Sequence, residues 1–463
     1  MMPEREASAA PTDRTEILLT DRAEIIMKES RYADVVIAGG GASGLAAAIE
    51  LGMKAPGLEV LVIEKMPEPG RKIRATGSGR CNISNTGAAG YSRVMGFFRE
   101  IGLVTKAYDN GLVYPYSESA SDVAELLFER ALSLGVKFAF GEELMSVRYV
   151  PADLVADPVP GSANAFVLES VFKDRDGLEK ITTHASFLIM ALGGKAGPTF
   201  GTIGDGFRIA RNLGHRVVTP VPALTGIECE EWDSGAVPCA VTLGGTRSAG
   251  VVSLFRDAEH IFGEDAKIFE EAGEIQFTKY GLSGICVFNM TRHMRYDRRA
   301  GESLGDFLVR ADLFPDGDIG EYIRDRKSGA FADAPAGELL CTVLKGPLAE
   351  YVINRAAGGD GEAFAARPVS SLSDEEISRL CSCVHALEFH PAGIRGWNDA
   401  QITMGGVSLD EINEATSESL LVDGMYITGE MADRDFQCGG FNLSNAWVTG
   451  LAAADDIIAA VNA

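Results

Sequence analysis

The sequence predicts an α/β protein whose centre is a Rossmann-like dinucleotide-binding fold drawing on both ends of the chain. Three observations predict it. A glycine motif, Gly39-x-Gly41-x-x-Gly44, stands between a short apolar run (residues 35–38) and an Ala-rich helical stretch. A second apolar run, "EVLVIE", ends in Glu64, twenty residues beyond Gly44. Near the far end, "ESLLVDGMYITGEMAD" reads as a turn, a strand over 425–428 and then Gly429-Glu430.

Each part of the first motif has a physical task. Gly39 allows the tight turn, Gly41 lets backbone N–H groups approach a pyrophosphate, and Gly44 lets helix and strand pack closely. The N-terminus of the helix adds partial positive charge where phosphates would sit. Glu64 can accept hydrogen bonds from ribose hydroxyls and disfavours a 2′-phosphate, so an ordinary ADP moiety is expected. The expected contacts here are Gly39, Gly41, Ala42, Ser43, Gly44, Glu64 and Lys65.

The far end separates FAD from NAD. A late strand closing in Gly429-Glu430 suits a carboxylate that meets the ribityl chain of a flavin. "NLSNAWVTGLAAADDIIAAV" follows as a helix with apolar spacing suited to packing on a sheet. The turn before it, with Gly440, Phe441, Asn442 and Ala446, would bring a helix N-terminus toward negative charge on a reduced flavin ring. A third segment, "ASFLIMALGG", reads as a buried strand ending in Gly193-Gly194. These features together predict FAD.

Between the ends, short β-like runs over 215–312, such as "HRVVTPVPAL", "SAGVVSLF" and "DFLVRADLF", are separated by turn residues. From Gly317 to about Cys383 the charged segments "GEYIRDRK", "GELLCTVLKGPLAEYVINRAA" and "DEEISRLCSCVHAL" read as helices. Ser373, with Glu376 three residues later, makes a capping box.

The chain has 463 residues, enough for roughly two or three domains, and a formal charge of −24. That charge argues against broad nucleic-acid binding, which needs clustered cations facing phosphates. No run of about 18 apolar residues exists, so no membrane-spanning helix is expected. The first thirty residues lack the apolar core of a signal peptide and are expected to form a partly disordered extension. Eight cysteines, at 81, 229, 239, 286, 341, 381, 383 and 438, form no CxxC, and the six histidines form no HExxH. No metal site is expected, and scattered thiols fit a reducing cytoplasm.

Against this acidic background, "GRKIRATGSGRCNISN" at positions 70–85 stands out, with four basic residues, three glycines and a cysteine. Together with "VYPYSESASDV", "ALGGKAGPTFGTIGDGFRIARNLGH", "FTKYGLSG", "ITMGGVSLDEI" and "TGEMADRDFQCGGFNLSNAW", it resembles the YhiN/BaiN-like family of FAD-dependent oxidoreductases. The resemblance runs from about Tyr32 to the C-terminus. It implies an FAD-binding domain over 31–197 and 392–463, an inserted β-rich domain over 198–316 and 385–391, and a nested helical domain over 317–384. It also implies that Arg71, Lys72, Gly77, Gly79, Arg80, Cys81 and Asn82 contact the cofactor. Where the family reads Thr-His-x-Gly-Leu-Ser-Gly-Pro, this chain has Lys279 in place of His and Ile285 in place of Pro.

For function, the resemblance implies hydride transfer through flavin N5, with NAD(P)H as a transient donor and an enone- or steroid-like C=C as acceptor. No second complete GxGxxG-acid unit serves a nicotinamide; "GGKAGPTFGTIGDG" lacks the strand, helix and acid in order. Tyr280, Lys279, Tyr116 and Cys81 are candidates for proton or thiol chemistry by residue type alone. Tyr114, His390 and Asp399 are weaker ones. Cys81 needs a lowered pKa to act as a nucleophile, and adjacent Arg80 would favour that. An oxidase of a small amine or aminoketone and an RNA-associated flavoprotein are the rival readings.

Overall fold

The computed structural model describes residues 26–27, 30–151, 164–173, 178–232 and 242–463. The parallel part of the main sheet runs in the order Lys137–Phe140, Val60–Glu64, Arg31–Ala38, Leu178–Met190. Leu178–Met190 serves two neighbours along one edge. Its first half pairs antiparallel with Asn164–Lys173, and its last three residues pair parallel with Met425–Ile427. The register aligns Ala38 with Ile63 and with Met190, and Met190 with Ile427. Gly39, Glu64, Gly193 and Gly429 therefore leave the sheet at one edge. In open α/β sheets, that carboxyl edge is where ligands bind.

Both faces of the sheet are covered toward its carboxyl edge, so residues 35–38, 60–63 and 187–190 are apolar throughout, as buried parallel strands are. On one face the helices Ala42–Lys54, Ala120–Ser133 and Phe441–Asn462 share a core with Phe97, Phe98 and Trp447. The Ala-rich surfaces of the first and last helices let their backbones approach. A Cβ on Gly450 would stand 2.2 Å from the Ser43 carbonyl oxygen. Fully buried Glu50 ties the same layer together through ion pairs to Lys54 and Arg93, and Asp455 pairs with both cations. The opposite face is filled by Leu61, Phe166, Leu188, Ile209 and Val407.

The middle of the chain forms a seven-stranded antiparallel sheet. Its order is Leu387–Phe389, Phe307–Asp312, Arg247–Arg256, Lys267–Phe277, Gly281–Ser283, Ile227–Cys229, Pro391–Ile394. The helices Ile319–Ser328, Gly346–Ala357 and Asp374–His385 pack into the same core. The expected capping box forms: the Ser373 hydroxyl accepts from the Glu376 N–H, and Glu376 accepts from the Ser373 N–H at 2.7 Å.

Three segments depart from expectation. "GELLCTVLKGPLAEYVINRAA" is α-helical only from Gly346, after a short 3-10 turn at Ala336–Glu338, because Pro347 suits a first turn and not a helix interior. The helix Asp205–Asn212, expected in the inserted part, packs Ile209 and Ala210 under the parallel sheet. The strand Pro391–Ile394 runs across the expected return at 392 and closes the antiparallel sheet. The chain then comes back through Ile402–Val407, which pairs with Val217–Ala223. Most of the expected N-terminal extension, including its disorder, lies outside the described residues, as does Cys239. Among the described residues, no helix is long and apolar enough to cross a membrane.

Candidate functional site

The carboxyl edge of the parallel sheet carries a glycine cradle. Gly39 has φ +106°, and a Cβ there would stand 2.4 Å from the Ala191 carbonyl oxygen. A Cβ on Gly44 would stand 2.0 Å from the Gly39 carbonyl oxygen. The protein's own packing thus demands both glycines. Gly41 differs: an added Cβ would meet nothing within 4 Å, and its φ of −80° is ordinary. The smallness of Gly41 answers to no protein neighbour. It caps a helix whose first N–H groups have no intrahelical acceptor. Open space there fits a pyrophosphate.

Glu64 stands beside this turn. Its two carboxylate oxygens accept from the Gly40 and Met66 N–H groups, each at 2.8 Å. Burial pushes its pKa up, against the pull of those two N–H groups and of nearby Lys65 and Arg71. Lys65 itself pairs with Asp205 at 2.7 Å. The Ser43 hydroxyl is buried and accepts from Thr428 at 3.1 Å, which fixes the turn to the residue that follows the strand Met425–Ile427.

The 70–85 loop is folded onto the C-terminal turn, more than 350 residues away. Lys72 pairs with Glu430 at 2.7 Å. The Ser84 and Ser444 hydroxyls meet at 2.5 Å, Asn85 donates to the Gly439 carbonyl at 3.0 Å, and Trp447 donates to the Ile83 carbonyl at 3.0 Å. Gly77, Ser78, Gly79 and Cys81 all have positive φ, which turns this stretch sharply. The Asn82 side chain accepts from the Val113 N–H at 3.2 Å. Asn442 commits its amide to residues 436 and 437, so it orders that loop. Phe441 and Ala446 are half-buried on the first turns of the closing helix.

Thr403, which the sequence reading did not single out, joins two of these motifs. Its N–H donates to Glu430 Oε1 at 2.8 Å, and its hydroxyl accepts from the Lys195 and Ala196 N–H groups at 2.6 and 3.0 Å. A Cβ on Gly194 would collide with both Thr403 and Glu430, which explains that glycine. Thr403 lies inside the "ITMGGVSLDEI" block, but a single threonine offers no spacing signal.

The candidates for proton or thiol chemistry are not gathered together. Burial pushes the Cys81 thiol up to about 11, so it stays protonated at neutral pH and is no ready nucleophile. Arg80 does not activate it; the guanidinium lies over the Tyr114 ring at 4.9 Å and near Glu118. Tyr116 is 72% exposed, and Lys279 is exposed on its turn. Tyr280 is half-buried, with Arg395 stacked 4.6 Å from its ring centre. Asp399 pairs with Arg395 and His390 with Glu231. Arg71 is half-buried at the start of the short helix Arg71–Ala75.

Where the two sheets meet, Ala223, Leu224, Ile402 and Met404 form a small apolar cluster edged by half-buried Val221, Phe288 and Cys438. The Cys438 N–H donates to Asn289 at 2.8 Å, and burial pushes its thiol up to about 12.

The profile of the HI0933-like protein Rossmann domain matches residues 33–95 and 88–456. The chain belongs to this family. It is an FAD-dependent oxidoreductase. Among curated relatives, a 3-dehydro-bile acid delta(4,6)-reductase of Clostridium scindens is 30% identical over 90% of this chain and 97% of its own length. A ribosomal RNA dihydrouridine synthase of Haemophilus influenzae is 25% identical over 92% of this chain and 98% of its own length. Among solved structures, a flavocytochrome c3 fumarate reductase aligns with a TM-score of 0.43 at 16% identity, covering 93% of this chain and 79% of that one.

Proposed function

We propose that this protein is a reductase that accepts hydride from NAD(P)H and saturates a C=C bond conjugated to a carbonyl in a small apolar molecule. The observation that carries this reading is the end-to-end similarity to the bile acid reductase. The half-buried apolar wall of Val221, Phe288 and Cys438 supports it, since a flat apolar substrate needs such a surface.

In this reading FAD would be held at the carboxyl edge. The backbone of 39–44 would hold the pyrophosphate, Glu64 would accept from the ribose, and Glu430 would accept from the ribityl chain. Gly193, Gly194 and the 70–82 loop, including Arg71, Lys72, Arg80 and Asn82, would complete the site. The start of the closing helix, from Gly440 to Ala446, would offer its N–H groups to negative charge on the reduced ring. Bound there, FAD supplies the hydride chemistry at N5 that no side chain of the protein can supply. The protein's own share is to bind, orient, exclude water and deliver a proton to the substrate carbon beside the carbonyl. Of the four candidates, Tyr280 suits that last task best, because Arg395 fixes its ring while Lys279 and Tyr116 are exposed and Cys81 is enclosed. Six of the described cysteines, at 81, 286, 341, 381, 383 and 438, form no disulfide, which suits the reducing cytoplasm expected of this reading.

Anaerobic stopped-flow tests the reading. NADH or NADPH should bleach the visible flavin absorbance, and a conjugated 3-oxo steroid should restore it. Bleaching by neither nicotinamide would defeat the proposal. A second reading, reduction of a uracil in ribosomal RNA, is favoured by the dihydrouridine synthase relatives and opposed by the charge of −24. Reoxidation of the reduced protein by RNA but not by the steroid would select it. Rapid oxygen consumption with a small amine and no nicotinamide would select an oxidase.

A further inference from the structure

Thr403 sits where three separate stretches of chain converge. It lies on Ile402–Val407, the strand by which the chain returns from the antiparallel unit, and it is 2% exposed. Its hydroxyl oxygen accepts from two successive N–H groups, those of Lys195 and Ala196, just beyond Gly193-Gly194. Its N–H holds Glu430 Oε1, while Lys72 holds Oε2 from the other side. The carboxylate is therefore gripped from both ends, and Gly194 is pressed against it with no room for a side chain. Strand pairing needs none of the hydroxyl contacts: Thr403 stands opposite Pro222 in a two-stranded ladder that a valine would serve equally.

We infer that Thr403 is a positioning residue for the flavin, through which the return strand of the inserted unit fixes both the 193–196 loop and the Glu430 carboxylate. This rests on the cofactor placement proposed above. The return strand is thereby coupled to the cofactor edge: a shift of it moves Glu430 and the glycine loop together. Removing the hydroxyl leaves two buried N–H groups without their acceptor and frees the loop to move, while the strand and its N–H bond to Glu430 remain.

The test compares wild type, Thr403→Val and Thr403→Ser as full-length proteins. In each, FAD affinity is measured by flavin fluorescence after reversible cofactor removal, beside the visible flavin spectrum and thermal unfolding of the apoprotein. Thr403→Val should weaken FAD binding roughly tenfold, on the scale of one buried hydrogen bond, and shift the flavin bands, while Thr403→Ser restores both. Equal affinity and spectra in wild type and Thr403→Val would overturn the role of Thr403 and leave the cofactor placement standing. Failure of wild type itself to bind FAD would instead defeat the placement. Should Thr403→Val not fold, amide exchange in wild type decides. The Lys195, Ala196 and Thr403 amides should gain protection together when FAD is added, and independent behaviour would overturn the coupling.

Discussion

Two glycine turns, at 39–44 and at 77–81, are built on opposite principles. In the 39–44 turn, two of the three motif glycines are required by the protein's own backbone and the third by none of it. In the 77–81 turn, left-handed conformations follow one another and two of them, Ser78 and Cys81, are carried by residues with side chains. A non-glycine residue in that region costs about 1 to 2 kcal/mol. The first turn is an unstrained socket. The second is held by its own backbone bonds, from the Arg80 N–H to Gly77 and the Cys81 N–H to Thr76, together with the bonds that tie 82–85 to 439–447. Strain that persists only because the neighbourhood imposes it is a mark of a functional loop.

The sharpest way to break this comparison is within the first turn. Gly44→Ala would drive a Cβ to 2.0 Å from the Gly39 carbonyl oxygen. The helix Ala42–Lys54 would have to back away from its strand, at a cost of about 3 kcal/mol, the upper end for overpacking. Gly41→Ala meets no atom within 4 Å, and should cost about 1 kcal/mol or less, the loss of a fair helix cap. Yet Gly41→Ala should impair FAD binding severely. Thermal unfolding of the two apoproteins beside their FAD affinities checks this. A Gly41→Ala protein that binds FAD normally would show that the open side of the turn is not where phosphates lie.

The next test addresses Cys81. Its folded pKa is raised from 9.0 to about 11, so the folded protein keeps a proton that the unfolded chain loses. The unfolded state binds fewer protons as pH rises above 9, and stability falls with pH across that window. Below pH 9 both states are protonated and the group contributes no pH dependence. At about 1.4 kcal/mol per unit, wild type should lose on the order of 2 kcal/mol more than Cys81→Ala between pH 9 and 11, read as the difference between two denaturant titrations. Alkylation at neutral pH should spare Cys81 in the folded protein, and Cys81→Ala should keep its turnover. Loss of turnover with FAD still bound would restore Cys81 as a reactive thiol.

What could be read from the sequence follows the same division. The 39–44 turn was legible because its reasons are local: strand, turn and helix are contiguous, and Glu64 falls one crossover later. Gly429-Glu430 was legible for the same reason. The contacts that make a site of these motifs were not, because they join residues far apart in the chain. Nothing in the spacing says that Lys72 turns to Glu430, that Lys65 turns to Asp205, or that Thr403 joins Gly194 to Glu430. Asn442 is expected at the cofactor by its place after Gly440, and nothing in that place says that its side-chain amide also orders the 436–437 loop. Residue type suggests Tyr280 and Lys279 equally; the Arg395 stacking and the half-burial of Tyr280 separate them.

The smallest expected effect probes the strained turn directly. Ser78 has φ +57° and is exposed, so replacing it with glycine relieves conformational strain without opening a cavity. Glycine also loses more freedom on folding, about 0.5 to 1 kcal/mol, against a relief of about 1 to 2 kcal/mol. The net should be a gain of about 0.5 to 1 kcal/mol in denaturant titrations. If the turn is shaped by the bonds from 82–85 to the closing helix, Ser78→Gly should stabilise the protein while leaving FAD affinity within about twofold, since under 0.5 kcal/mol would separate the two. If instead the turn holds its own shape through Ser78, the same change should loosen it and FAD affinity should fall as stability rises. The sign of that second measurement decides whether the loop is imposed on by its neighbours or imposes itself on them.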